Sequence, residues 1–101
     1  MHPGNGQEFE RLAVSCWERV FRDKRLTPAQ QTDYITTGIE AAARALELDA
    51  DSGTALVFKS ILLRIQASAE ANLERRQHLL SEADSLHNSA QALAKKRVSG
   101  L

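Results

Sequence analysis

The stretch Ala45-Leu-Glu-Leu-Asp-Ala-Asp-Ser-Gly-Thr-Ala-Leu56 decides the fold. Ala45, Leu46 and Leu48 close one run of apolar residues at helical spacing. Asp49 to Asp51 interrupt it, because short polar side chains compete with the helix for backbone hydrogen bonds. Asp51 or Ser52 then supplies an oxygen to cap a new helix, and Ala55 and Leu56 open its apolar run. No alternating pattern and no hairpin turn lies between the two runs, so the segment reads as helix, tight turn, helix.

Working outward, the helix that ends here starts at Thr27-Pro-Ala-Gln30. Thr sits at the N-cap, Pro at the first helical position and Gln three residues after the cap, which is a capping box. Tyr34, Ile35, Gly38, Ile39, Ala42, Ala45, Leu46 and Leu48 are expected to face inward. Gly38 costs this helix about 1 kcal/mol relative to Ala, which a close helix–helix approach would justify. The following helix is apolar nearly all round, with Leu56, Val57, Phe58, Ile61, Leu62, Leu63 and Ile65. Such a helix belongs in the middle of the domain, touching those before and after it. A first helix, from about Gln7 to Asp23, carries Phe9, Leu12, Ala13, Cys16, Trp17, Val20 and Phe21 as one stripe. A fourth, capped by Asn72 and running to about Arg97, carries Leu79, Leu80, Ala83, Leu86, Ala90, Leu93 and Ala94. The expected fold is all-α: one domain over residues 7–97, built of hairpins at about 7–49 and 52–97, with flexible ends at 1–6 and 98–101.

The two hairpins share an internal pattern. Phe9, Leu12, Ala13 and Cys16 are spaced as Leu56, Lys59, Ser60 and Leu63 are, 47 residues later. Gly38, Ala42 and Ala45 are spaced as Ala83, His87 and Ala90 are, 45 residues later. These offsets, with the Ala45-Leu-Glu-Leu-Asp49 junction leading through Ala50-Asp-Ser to Ala55-Leu56, resemble the tetratricopeptide repeat family. Leu62-Leu-Arg-Ile-Gln-Ala67 followed by Leu79-Leu-Ser-Glu-Ala-Asp84 resembles bacterial members with elongated hairpins. The likeness covers roughly residues 9–94. It departs in length, since the family repeat is about 34 residues, a period less close to this one than that of HEAT-type repeats. Ala50 stands where the junction usually has proline, Lys59 where a leucine is expected, and Ala42 and His87 where the second helix has a large residue. A generic antiparallel four-helix bundle remains the alternative reading.

The resemblance implies a short right-handed α-solenoid and a non-catalytic scaffold that binds a protein or peptide segment in a groove lined by the first helix of each hairpin. In that register Thr54, Val57, Ile61, Arg64 and Ile65 face the groove from helix 3. Gln7, Glu10, Val14, Trp17 and Glu18 face it from helix 1. Trp17, Thr54, Val57, Ile61 and Arg64 are the expected partner-binding residues, with Arg64 placed to take a carboxylate or to pair with a nearby surface Glu. Two hairpins are few for a stable array, so self-association, or a place as a small structural subunit of a larger complex, is the alternative function.

Composition narrows the rest. The chain has 101 residues, 43% apolar and 26% charged, with 13 basic and 13 acidic residues. A neutral balance without aromatics among its basic runs disfavours nucleic acid. Lys59 and Arg64 break its most apolar stretch, so no membrane insertion is expected. Those features and the absence of a signal core point to a soluble, cytoplasmic chain if it is a complete product; an excised domain leaves a removed signal open. Cys16 is the single cysteine and reads as a buried structural thiol. His78 and His87 fall on opposite faces of one helix, nine residues apart, and cannot share a metal. No phosphate loop, nucleophile elbow or paired catalytic carboxylates occur. No catalytic residue, metal or cofactor is expected, and the chain is not read as an enzyme.

Overall fold

The structure is a computed structural model that describes residues 6–99. It is all-α. Four helices follow in order: α1 (Gly6–Arg22), α2 (Pro28–Leu48), α3 (Gly53–Ser68) and α4 (Leu73–Ser99). Gly6, Val98 and Ser99, expected in the flexible ends, are helical. The remainder of those ends, 1–5 and 100–101, lies outside the described residues.

The helix starts lie where local chemistry puts them. Thr27 Oγ1 accepts from the Gln30 amide at 3.1 Å, and the Gln30 side chain accepts from the Thr27 amide at 2.9 Å. This reciprocal pair satisfies two donors that the first turn of α2 would otherwise leave bare. Of the two candidate caps for α3, Ser52 serves, accepting from Ala55 N–H at 3.1 Å. Its hydroxyl donates in turn to the Glu10 carboxylate of α1, so one side chain caps α3 and ties it to α1. Asn72 caps α4 through Arg75 N–H at 2.9 Å. The α2 helix stops at Asp49, whose carboxylate accepts from Asp51 N–H at 3.0 Å and holds the turn.

Three helices pack mutually: α1 on α2, α2 on α3, and α1 on α3. The α4 helix comes within backbone packing distance of α3 alone among the described residues. A closed antiparallel bundle would also bring α4 onto α1. The molecule is instead a slab of 44 × 33 × 22 Å, with α3 central.

The core is rich in alanine, with Ile35, Leu56, Leu62 and Leu63 as its large members. Ala13, Ala41, Ala42, Ala45 and Ala55 form one buried cluster, flanked by Phe9, Leu46 and Phe58. Alanine at these contacts lets the backbones approach closely. Gly38 takes this furthest. A Cβ built there would lie 2.7 Å from Leu62 Cδ1, 3.0 Å from Cys16 Cβ and 3.7 Å from the Ala13 carbonyl oxygen. The glycine thus marks the point where α1, α2 and α3 meet. Among the described residues Leu62 is the one large side chain with no exposure.

Several residues expected inward are not there. Leu12 is 43% exposed, Phe21 62% and Leu48 56%, and Ala94 is exposed. The α1 helix packs against two neighbours on adjoining sides, so the arc it buries is narrower than its apolar stripe. Leu12 and Phe21 lie at the two edges of that stripe. Leu48 ends α2 beyond the contact with α1, and Ala94 lies in the last turns of a 27-residue α4 that outruns the 16-residue α3.

Candidate functional site

The face shared by α1 and α3 is built by two helical registers. On α3, Leu56, Ser60, Leu63 and Ala67 recur at i, i+4, i+7 and i+11 and are buried. Ser60 Oγ donates to the Ala83 carbonyl of α4 at 2.9 Å, so this row faces α4. Thr54, Val57, Ile61, Arg64 and Ile65 share a different side of the same helix. Thr54 and Arg64 are exposed, Val57 is 39% exposed, and Ile61 and Ile65 are half-buried. On α1, Val14 and Trp17 are half-buried, while Gln7 and Glu18 are exposed.

The structure brings Trp17 to this face. Its ring lies edge-on to Phe58 of α3, with centroids 5.4 Å apart, and stacks on Phe21 at 5.1 Å and 15°. Trp17 therefore joins the two helices and also supports an aromatic ring turned to solvent. Phe58 lies one residue from Val57 and three from Ile61, so the aromatic pair adjoins the aliphatic row of α3. Phe21 and Phe58 are members of this face that the groove reading of the sequence omits. The signal for Phe21 is its spacing. Residues four apart on a helix overlie one another, so Phe21 follows Trp17 to whichever side Trp17 takes.

Two expected groove residues are engaged elsewhere. Glu10 accepts from Ser52. Arg64 Nη2 lies 2.8 Å from Asp84 Oδ1 of α4, so its surface partner is an aspartate rather than a glutamate. Lys59, at the position where a leucine was expected, is mostly covered and reaches Glu82 at 3.2 Å. These two pairs flank the buried Ser60 contact and join α3 to α4. The Arg64–Asp84 pair is exposed on both sides and contributes little to stability, about 0–1 kcal/mol.

The reactive-group inventory is modest. Cys16 is buried, and burial raises its thiol above the usual range, away from the thiolate that a nucleophile requires. His78 and His87 are exposed on α4. Among the described residues no group of three His, Cys, Asp or Glu side chains is placed to hold a metal ion. No helix among them is long and apolar enough to cross a membrane. Comparison with protein-family models, with curated proteins and with solved structures finds no match to this chain.

Proposed function

We propose that this chain is a non-catalytic interaction module that docks a segment of a partner protein on the face shared by α1 and α3, as two stacked hairpins of tetratricopeptide type would. The observation that carries the reading is Phe21: a large aromatic ring, 62% exposed, held on Trp17 rather than folded into the core. Rigid aromatics that bring much contact area at low entropy cost are typical anchors of protein interfaces. The packing of α1 on α3, with α4 on α3 alone, supports the same reading, because neighbouring first helices are what a groove of that type requires.

Phe21 is a sharper probe than Arg64, whose guanidinium is already satisfied by Asp84. In affinity capture from native lysate, read by mass spectrometry, Phe21→Gln should lose at least ten-fold of whatever protein the wild type retains. Glutamine is a good helix former, and only one exposed stacking contact is removed, so the fold should lose about 1 kcal/mol. Arg64→Glu should weaken capture less. An unchanged partner set with Phe21→Gln would overturn the reading.

A second reading, a structural subunit that associates with itself, has one observation in its favour. Leu12 and Leu48 are also exposed apolar residues and, by helical spacing, lie off the α1/α3 face. Sedimentation equilibrium of wild type beside Leu12→Gln/Leu48→Gln separates the two readings. Association abolished by that pair and unaffected by Phe21→Gln would favour the subunit.

A further inference from the structure

We propose that α4 is an exchangeable helix, and that its seat on α3 accepts the α4 of a second copy of this chain. Three observations lead there. The first is the lopsided packing. The α1, α2 and α3 helices enclose the alanine cluster among themselves, whereas α4 rests on α3 alone. Ala83 is the only buried residue among those of α4 whose burial is described. Leu79, Leu80, Leu86 and Leu93 are half-covered. An element with so few buried contacts opens at lower free energy than the rest of the fold.

The second observation is the character of the seat. Leu56, Ser60, Leu63 and Ala67 form its floor, and Lys59 and Arg64 stand at its edges. Facing them, α4 carries Glu82 and Asp84. A basic-edged apolar seat calls for an apolar helix with acidic flanks, and α4 of another copy meets that demand residue for residue.

The third is the connection. Only residues 69–72, Ala-Glu-Ala-Asn, join α3 to α4, without glycine or proline. Ala69 caps α3 in a turn geometry on the right-handed side of backbone space, φ −96° and ψ −3°, so a change in ψ of a few tens of degrees brings it to helical values. The turn is closed by the Ala69 and Glu70 amides on the Gln66 and Ala67 carbonyls at 3.2 and 3.1 Å, by the Asn72 cap of α4, and by the Arg76 guanidinium on the Glu70 carbonyl at 2.9 and 3.1 Å. Straightening this segment makes α3 and α4 one helix and carries α4 away from its own seat. The other two turns resist such a change, one through Pro28 at a helix start, the other through Asp49 and Gly53. Exchange keeps every α3–α4 contact in trans, so it costs little beyond the loss of independent motion of two chains.

Complementary charge reversal tests this. In K59E/R64D the seat repels its own α4; in E82K/D84R the α4 repels its own seat. Each alone should remain at the chain mass of 11.2 kDa. Co-refolded from urea, they should give a one-to-one complex of twice that mass, because in trans each seat meets an opposite charge. E40K/E47K, which makes two acid-to-base changes on exposed positions of α2, should give no complex with K59E/R64D. Wild type held at about the urea midpoint at millimolar concentration and returned to buffer should likewise yield a dimer. Coexisting monomers in the complementary mixture, or an equal complex with E40K/E47K, would overturn the proposal, as would a wild type that returns only as monomer. Phe21→Gln should leave the exchange unchanged, which separates it from docking on the α1/α3 face.

Discussion

Leu62→Ala is expected to lower the free energy of unfolding by about 3–4 kcal/mol. The side chain has no exposure and reaches the point where Gly38 meets Cys16. Its neighbours there are small or backbone, so they cannot move in to fill the space. Large-to-small costs reach the upper part of their range where a site cannot collapse. For a domain of ordinary stability, about 5–15 kcal/mol in all, that is a large share. Urea denaturation followed by circular dichroism measures it. A loss under about 1 kcal/mol would mean that α3 does not sit in the middle of the core.

Gly38→Val should cost as much for the opposite reason. Valine adds volume where a single Cβ would already stand 2.7 Å from Leu62 Cδ1 and 3.0 Å from Cys16 Cβ. The Leu62 methyl is the end of a side chain and can shift a little. The Cys16 Cβ is fixed to the α1 backbone and cannot shift without moving the helix. Overpacking of this kind costs about 1–3 kcal/mol or more, so about 3 kcal/mol is expected. Gly38→Ala sets a gain of about 1 kcal/mol in helix propensity against the same crowding, and should come out about 1 kcal/mol destabilising. Since Leu62 is the nearer neighbour, the two sites are coupled. In the Leu62→Ala background, Gly38→Ala should become neutral or stabilising. Additive effects would show that the Leu62 side chain is not what crowds the glycine.

The helix starts were legible because capping is local chemistry. Thr27, Ser52 and Asn72 each bond an amide three residues on, and a sequence displays that spacing directly. Gly38 was legible for a related reason: a mid-helix glycine is costly unless something approaches it, and Leu62 does. The sides of the helices were less so. Periodicity places Leu12 and Phe21 on one stripe with Ala13 and Cys16, but how much of that stripe is covered depends on how many helices surround α1. Ala41 and Ala67 are buried yet give no sign of it in the sequence, because alanine suits a helix surface and a tight interface equally well. The partner of Arg64 lies twenty residues away, and choosing Asp84 among the nearby carboxylates takes the packing of α4 on α3. On the candidate face, Trp17, Val57 and Ile61 followed from register. Phe21 reads as core only if the whole stripe is buried, and its exposure of 62% marks the stripe's uncovered edge.

All of this rests on α1 lying beside α3, with α4 on the far side. Isotope-edited nuclear Overhauser spectra test that directly. Cross-peaks are predicted between the Trp17 indole and the Phe58 ring, whose centroids are 5.4 Å apart, with none between side chains of α1 and α4. Cross-peaks joining α1 to α4, without the Trp17–Phe58 contact, would contradict the arrangement and remove the shared face with it.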